Sequence, residues 1–309
     1  MNKIIFLSLS ILLLSCSDST PEMSSADKLL RDSLFLVIHQ KYESMDFKNA
    51  ESVIDEMKPF DEKDFEYFKT KAQIKYNLEK AVEALLLINR ALKVHPLNSQ
   101  ALYIKAAIFS KLRFEDSALI YLNKAIMLDP GNEGYFYARA QANAERGLFL
   151  LALDDLDRCI KLRPDKKYEL ISYRTKIRLS ISDTIGTIAD CDTLIALQPT
   201  KSFAYGQKAY CLLWQSNYGE ALKILNHALN LNAGDSQLYL LRFSARQNLE
   251  DKKCCEDLEQ AILLGNQDAY KYIKKCEEFF KKKGVEYRFR IDTLQPTKKP
   301  NDDNHSTRV

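Results

Sequence analysis

Residues 115–132 read EDSALIYLNKAIMLDPGN, and this stretch decides the fold because its pattern recurs along the chain. Ala118 and Ala125 lie seven positions apart, and Pro130 follows them. The same order of two small residues and a proline returns at intervals of 34 or 35 residues. Small residues at such a period are typical of two-helix repeats that stack on one another. Where the two helices of a pair cross closely, only a small side chain fits between them.

Three series of positions, most of them small, carry this period. The first series contains Ala50, Ala84, Ala118, Ala152, Thr187, Ala221 and Cys255. The second series follows close behind the first and contains Met57, Ala91, Ala125, Cys159, Leu194, Ala228 and Ala261. The third series belongs to the preceding helix of each pair and contains Ala72, Ala106, Ala140, Thr175 and Ala209. Because the series stay in register, we expect every unit to consist of a helix A, a short turn and a helix B.

The pattern resembles the tetratricopeptide repeat family over about residues 31–283. The resemblance implies an all-α, right-handed superhelical solenoid of about seven helix-turn-helix repeats. The outer repeats depart most, with Ile38 and Phe243 at the small helix A position, as terminal repeats commonly do. Prolines close four of the units at Pro96, Pro130, Pro164 and Pro199. The expected repeats are 31–64, 65–98, 99–132, 133–166, 168–201, 202–235 and 236–266.

The last repeat is followed by two segments of different character. Residues 267–283 place Tyr270, Ile273 and one of Phe279 or Phe280 on one side and lysines on the other. This amphipathic pattern predicts a capping helix over the open apolar face of repeat seven. The repeat pattern stops beyond Gly284, and residues 293–309 contain almost no apolar side chain, so we expect residues 284–309 to be a mostly disordered tail.

The start of the chain favours export. Lys3 precedes an apolar run that is too short to span a bilayer, which is typical of a signal peptide at residues 1–15. The run ends in the letters LLSC, which resemble the lipobox of bacterial lipoproteins, where the cysteine, here Cys16, carries the lipid. An ordinary secretory signal that contains a cysteine is the alternative. Residues 16–30 begin with small polar residues and are expected to be a lipidated tether.

The lipobox resemblance also implies a location. It places the protein in the bacterial cell envelope, attached to a membrane through its N-terminal lipid. Ser17, rather than an aspartate, follows the cysteine, which favours the outer membrane by similarity to lipoprotein sorting. The leaflet that the protein faces stays open.

The composition points away from nucleic-acid binding and from catalysis. The formal net charge is only +3, so the repeats lack the concentrated basic face that nucleic acid needs. None of the four histidines lies in a Ser-His-Asp or zinc-binding context, and the nine glycines form no phosphate cradle. We therefore expect a protein that is not an enzyme and that holds no cofactor and no metal.

The cysteines beyond Cys16 divide into two groups. Cys159, Cys191 and Cys211 fall at packing positions, where a thiol behaves as a small apolar group. Cys255 begins the last helix B, and Cys276 lies on the capping helix that should pack beside it. An oxidising envelope would allow these two to form a disulfide. A link from Cys254 to Cys276 is the alternative register.

A row of cations precedes the small position of helix A. Its members are Lys71, Lys105, Arg139, Arg174, Lys208 and Arg242. The row could form a ladder for an acidic partner. It could instead pair with helix B carboxylates such as Asp155 and Asp190, an interpretation that we favour.

Aromatic side chains on helix A suggest where a partner binds. Projection of the helical period places five of them on the concave face, at Tyr103, Tyr137, Phe203, Tyr210 and Trp214. Large, rigid rings suit a peptide or a partner helix, although such residues also occur in cores. The resulting hypothesis is a lipid-anchored envelope scaffold for a protein partner. The alternatives are an assembly factor for a secretion or pilus machine and, from another class, a carbohydrate-binding module or an enzyme.

Overall fold

The computed structural model describes residues 23–57, 59–61, 63–284, 287 and 289, and these residues form helices and turns without strands. Two short 3-10 helices, Pro164–Lys166 and Gln267–Tyr272, accompany the α-helices. The α-helices of the described part are α1 Ser25–Glu43, α2 Phe47–Met57, α3 Phe65–Asn77, α4 Ala81–Val94, α5 Ser99–Lys111, α6 Glu115–Leu128, α7 Glu133–Glu145, α8 Phe149–Leu162, α9 Lys167–Ser180, α10 Thr184–Leu197, α11 Ser202–Trp214, α12 Tyr218–Leu231, α13 Ser236–Asn248, α14 Cys254–Leu263 and α15 Ile273–Lys282. The odd-numbered helices up to α13 are the A helices, and their even-numbered successors are the B helices.

The chain divides into two units, one up to Phe114 and one from Glu115 onward. In the first unit, α1 to α5 share one apolar core that runs from Ile38 to Ile108. In the second unit, consecutive helices from α6 to α15 pack on their neighbours, and the core consists of several adjoining clusters. An all-α helical-repeat fold is therefore confirmed.

Some sequence predictions concern residues outside the described part. These are the signal peptide 1–15, the lipid site Cys16 and nearly all of the tail 284–309. The expected tether 16–30 differs from the structure in its second half, because α1 already begins at Ser25. The Ser24 side chain accepts a hydrogen bond from the backbone N–H of Asp27, which caps this helix at its start.

The small residues lie where the helices touch. Every member of the first series, from Ala50 to Cys255, has no exposed surface. The same holds for the third series and for the second series from Ala91 onward. Two threonines are accommodated because each donates its hydroxyl to its own helix, Thr175 to the Ile171 carbonyl and Thr187 to the Asp183 carbonyl. The contact therefore stays free of unpaired polar atoms.

Each turn between a helix A and its helix B contains one residue with positive φ. Gly147 is the only glycine in this set, and the others are Met45, Glu79, Arg113, Ser182, Ser216 and Glu250. The N–H of the next residue bonds to a carbonyl five positions back, as in Phe114 to Phe109 and Leu148 to Asn143. These are Schellman closures of helix A, which let helix B reverse direction within a short turn.

The left-handed turns lead to a prediction about stability. Arg113 has φ of 63°, lies on the surface and, as a residue with a side chain, is strained there. Arg113→Gly should raise the free energy of unfolding by about 1 kcal/mol because glycine adopts this conformation without that strain. Urea denaturation of the two proteins measures the difference. Gly147→Ala is the matched control and should lower stability by a similar amount, whereas equal shifts in one direction for both variants would contradict the account.

Candidate partner-binding site

The arginines of the cation row pair with buried carboxylates on helix B of their own repeat. Arg139 donates from Nε and Nη2 to the two oxygens of Asp155, at 2.9 and 2.6 Å. Arg174 makes the same two-pronged contact with Asp190. Arg242 donates to Asp257, an aspartate that the sequence analysis did not pair with it. These three carboxylates are at most 4% exposed, so their charges need the arginines as partners.

The cation row also reaches the helix B before it. Lys71 lies 2.7 Å from Asp55, and Lys208 lies 2.6 Å from Asp192. The arginines use their remaining guanidinium nitrogen for a contact of the same kind, with partners Asn123, Asp157 and Asn226. Most of the row therefore links consecutive helices and is structural, as the favoured interpretation expected.

The Asp and Asn side chains that accept from the cation row on the preceding helix B were not identified from the sequence, although they recur with the repeat period. Each stands five positions after a member of the first small series, and Asn89 occupies the equivalent place in repeat two. The signal was therefore the period of Asp and Asn, in addition to the period of small residues. When the cation row is compared with this series of Asp and Asn residues, the two patterns predict pairing between neighbouring repeats.

The two cysteines expected to pair are joined in the structure. Cys255 on α14 and Cys276 on α15 form a disulfide, with Cα atoms 5.9 Å apart, and Cys254 stays free and buried beside it. Cys276 and Phe280 pack with Phe243 in one cluster, so α15 covers the last helix pair. The bond thus pins this covering helix to repeat seven.

An open cleft of about 350 Å³ lies between α11, α13 and the C-terminal residues. Helix α11 contributes Tyr210 and Trp214, whose ring centroids are 6.1 Å apart. Trp214 is 67% exposed, so this only tryptophan of the chain is not a core residue. The cleft is lined by apolar and polar side chains, namely Tyr210, Leu213, Trp214, Gln237, Leu240, Leu241, Phe243, Ser244, Gln247, Asn248, Tyr272 and Lys275.

The other three predicted aromatic residues lie elsewhere. Tyr103 is half-buried and packs on the core of the first unit. Tyr137 packs against Tyr173 with ring centroids 5.7 Å apart, and Phe203 packs on another core cluster of the second unit. None of these three lines the cleft. The structure therefore brings together Tyr210 and Trp214, and a binding role for the other three stays a prediction.

Residues of α13 and of the C-terminal cap complete the cleft. The sequence analysis did not predict them as part of a binding site. Gln237, Gln247 and Asn248 add side-chain amides, and Lys275 adds the one cation of the lining. Amides donate and accept, so they can bond to the N–H and C=O groups of a peptide backbone. Repeat seven matches the repeat pattern poorly, and this hid its contribution.

Within the described part, two further features bear on function. No helix there is long and apolar enough to cross a membrane. Those residues also contain no group of three or more side chains suited to hold a metal ion. The cleft presents rings, amides, aliphatic side chains, one serine and one lysine.

Several solved structures have a similar fold. The C-terminal part of a TPR repeat-containing protein from Cytophaga hutchinsonii has a TM-score of 0.64 and 14% identity, over 77% of this chain and 99% of that one. PilF of Pseudomonas aeruginosa has a TM-score of 0.52 and 14% identity, over 68% and 96%. YrrB, a TPR protein with an unusual peptide-binding site, has a TM-score of 0.50 and 16% identity, over 61% and 97%. No family model and no curated protein matches the chain.

Together, the repeat pattern and these likenesses identify the fold as that of tetratricopeptide repeat proteins. In this fold, pairs of helices stack side by side and present the A helices on one face. Tyr210 and Trp214 lie on such an A helix, α11.

The buried carboxylates generate a second prediction. Asp190→Ala should lower the free energy of unfolding by about 3 to 5 kcal/mol, because it leaves the paired cations Arg174 and Arg178 without their buried partner. Asp192→Ala is the matched control. Asp192 is half exposed and pairs with Lys208, so its loss should cost less than about 1 kcal/mol. Urea unfolding of both variants would contradict this account if the two losses were equal.

The cysteines generate a third prediction. Burial raises the pKa of the Cys159 and Cys191 thiols to about 12, so at pH 8 only about one molecule in ten thousand carries the reactive thiolate at either position. Folded, unreduced protein should therefore resist alkylation at both cysteines and yield a linked Cys255–Cys276 peptide. Peptide mapping by mass spectrometry checks both results. Rapid labelling of Cys159, or free thiols at 255 and 276, would contradict them.

Proposed function

We propose that this chain is a lipid-anchored scaffold of the bacterial cell envelope that binds a protein or peptide partner. The C-terminal cleft is its main binding site. The observation that carries the proposal is an exposed tryptophan next to Tyr210 in a cleft that leucines and amide side chains also line. Trp and Tyr are the residues in which binding energy most often concentrates at interfaces.

The size and chemistry of the cleft suit a short extended segment or one face of a helix. Leu240, Leu241 and Tyr272 add apolar surface to that of the two rings. Gln247 and Asn248 can bond to the backbone of a bound segment, and Lys275 favours a partner with an acidic residue nearby. The peptide-binding site of the similar protein YrrB supports a peptide as the class of ligand.

Two alternatives remain open to experiment. An assembly factor for a secretion or pilus machine would recruit its partner into a larger envelope complex, so it should co-fractionate with that complex. A carbohydrate-binding module would use the same rings to stack on sugars, because aromatic faces and amides also suit glycans. Binding to glycans in the absence of any protein partner would favour that class. Catalysis has no specific observation in its favour.

The attachment to a membrane is proposed from the chain's first residues. The letters LLSC before and at Cys16 resemble a lipobox, and an exported lipoprotein would display the repeats at a membrane surface. Ser17 favours the outer membrane. A disulfide between Cys255 and Cys276 agrees with an oxidising compartment.

The partner-binding role leads to a fourth prediction. Trp214→Ala should weaken the affinity for the partner at least about thirtyfold, because interface anchors of this kind contribute about 2 kcal/mol or more. The melting temperature should change little, since the side chain is 67% exposed. Titration calorimetry with the purified partner measures the affinity. Met127→Ala removes an even more exposed side chain outside the cleft and should leave binding unchanged.

Two results would contradict the partner-binding role. Unchanged affinity in Trp214→Ala would remove the cleft as the site. A sharp fall in melting temperature, with normal capture by the protein that stays folded, would make Trp214 a structural residue.

The lipid anchor leads to a fifth prediction. Cys16→Ala should leave the protein unlipidated, either as soluble chain or as unprocessed precursor, because the acyl chains that hold it at the membrane would be missing. Detergent phase partitioning and the mass of the N-terminal peptide check this. Identical partitioning of the variant and the natural chain would overturn lipid attachment at Cys16.

A further inference from the structure

The first helix exposes an apolar stripe, which we call the α1 stripe and which consists of Leu29, Leu30, Leu36 and Val37. These side chains are 71%, 60%, 58% and 37% exposed. The helical period places Ser33 and Gln40 on the same face, so no charged residue interrupts it. Large aliphatic side chains grouped in this way on a surface mark an interaction site more often than scattered ones do.

The α1 stripe borders a shallow cavity of about 310 Å³, to which Leu30 contributes. Met23, Leu34, Met57, Pro59 and Phe60 supply its apolar surface, and the charged residues Asp27 and Arg31 also line it. Phe60 is itself 42% exposed. The apolar surface therefore extends beyond one helix and includes the turn region that follows α2.

The first and the last helices of the repeats differ in how much of their apolar surface is covered. At the C-terminal end, α15 packs over the last helix pair and is held there by the disulfide. At the N-terminal end, α1 buries Ile38 against its own repeat but leaves the α1 stripe exposed. An open repeat face normally needs a cover, so something else is expected to contact it.

The position of Cys16 indicates what contacts the α1 stripe. Ser25, the start of α1, follows Cys16 by only nine positions, and a chain of that length spans at most about 30 Å. Residues 17–22 read SDSTPE and offer no large apolar side chain for the stripe. A lipid on Cys16 would therefore hold the start of α1 within about 30 Å of the bilayer.

We propose that the α1 stripe lies on the membrane, with Leu29, Leu30 and Leu36 inserted at the boundary between headgroups and acyl chains. The inference rests on the proposed lipid attachment at Cys16. An amphipathic helix that lies in the plane of the membrane buries its apolar face about 5–10 Å into this region, and a second contact strengthens attachment through a lipid chain. Asp32 and Lys41 lie at the two edges of the face, where they stay in contact with headgroups and water.

Fluorescence quenching tests the contact in the full lipidated chain. Trp214→Phe removes the natural tryptophan, and Ser33→Trp then places a single tryptophan in the middle of the α1 stripe. On vesicles of dibrominated phosphatidylcholine, its fluorescence should fall at least about twofold relative to unbrominated vesicles, because a ring at the headgroup boundary lies near the bromines. Lys93→Trp in the same background is the control, since Lys93 is on α4, away from the stripe, and it should show no quenching.

A second measurement uses the stripe residues themselves. Leu29→Ser combined with Leu36→Ser should leave the fold intact, since both side chains are largely exposed. The lipidated variant should leave vesicles at least about ten times more readily than the natural lipidated chain, because it loses the transfer of two leucines from water. An unchanged rate of release would overturn the inference.

The outcomes separate this inference from the lipid anchor. If the Cys16 peptide carries lipid but the tryptophan introduced by Ser33→Trp is not quenched, the membrane contact is wrong and the anchor stands. If Cys16 carries no lipid, the anchor fails and the inference falls with its premise. If that tryptophan is unquenched and the chain sediments as a dimer that Leu29→Ser with Leu36→Ser dissolves, the stripe binds a second copy instead.

Discussion

The close crossing of helix A and helix B at a small residue is the constraint on which the rest of the structure depends. Ala72, Ala106, Ala140 and Ala209 have no exposed surface, and their helix B counterparts are equally buried. A larger side chain would push the helices apart and cost about 1–3 kcal/mol of strain. The small helix A position recurs in repeats two to six, whereas Ile38 and Phe243 replace it in the outer repeats, and the first small series on helix B recurs in all seven repeats.

Register explains the cation row. The residue before each small helix A position lies at the edge of the crossing, within reach of both its own helix B and the preceding one. Arg139 uses this position to hold Asp155 and Asn123 at once. Its partner Asp155 is buried, so a shifted register would leave that carboxylate without its arginine. The pair therefore favours the correct register of the two helices in addition to attracting them.

The same register directs other side chains of helix A outward. Tyr210 follows the small position Ala209 directly, and Trp214 lies one helical turn further along α11. Both rings then face α13 and the C-terminal cap, where they form the cleft. The candidate cleft and the packing surface thus lie on two faces of α11, so we expect Trp214, which is 67% exposed, to be replaceable without loss of the core.

Much of the fold could be predicted from the sequence because it repeats. The helix pairs and their small contacts followed from the period, and the pairing of Cys255 with Cys276 followed from the expected cap over the last repeat. The left-handed turns could not be predicted, because six of the seven positions are not glycine. Their conformation is imposed by the two helices that they join.

The candidate site was predicted only in part. The helical period assigns a residue to a face but does not say how deeply the neighbouring helix covers it. Tyr137 and Phe203 were therefore grouped with Trp214, although they pack on cores. The contribution of Gln247 and Tyr272 depends on how the cap meets repeat seven, which is a tertiary contact without a periodic signal.

Site-specific photo-crosslinking in intact cell envelopes tests the central claim, that the C-terminal cleft holds a protein partner. A photoreactive amino acid in place of Gln247 would sit in the cleft, and the same group in place of Met127 would sit outside it. The account predicts one discrete crosslinked protein from position 247, lost when Trp214→Ala is added, and none from position 127. Identical crosslinks from both positions, or a product at 247 that does not depend on Trp214, would contradict it.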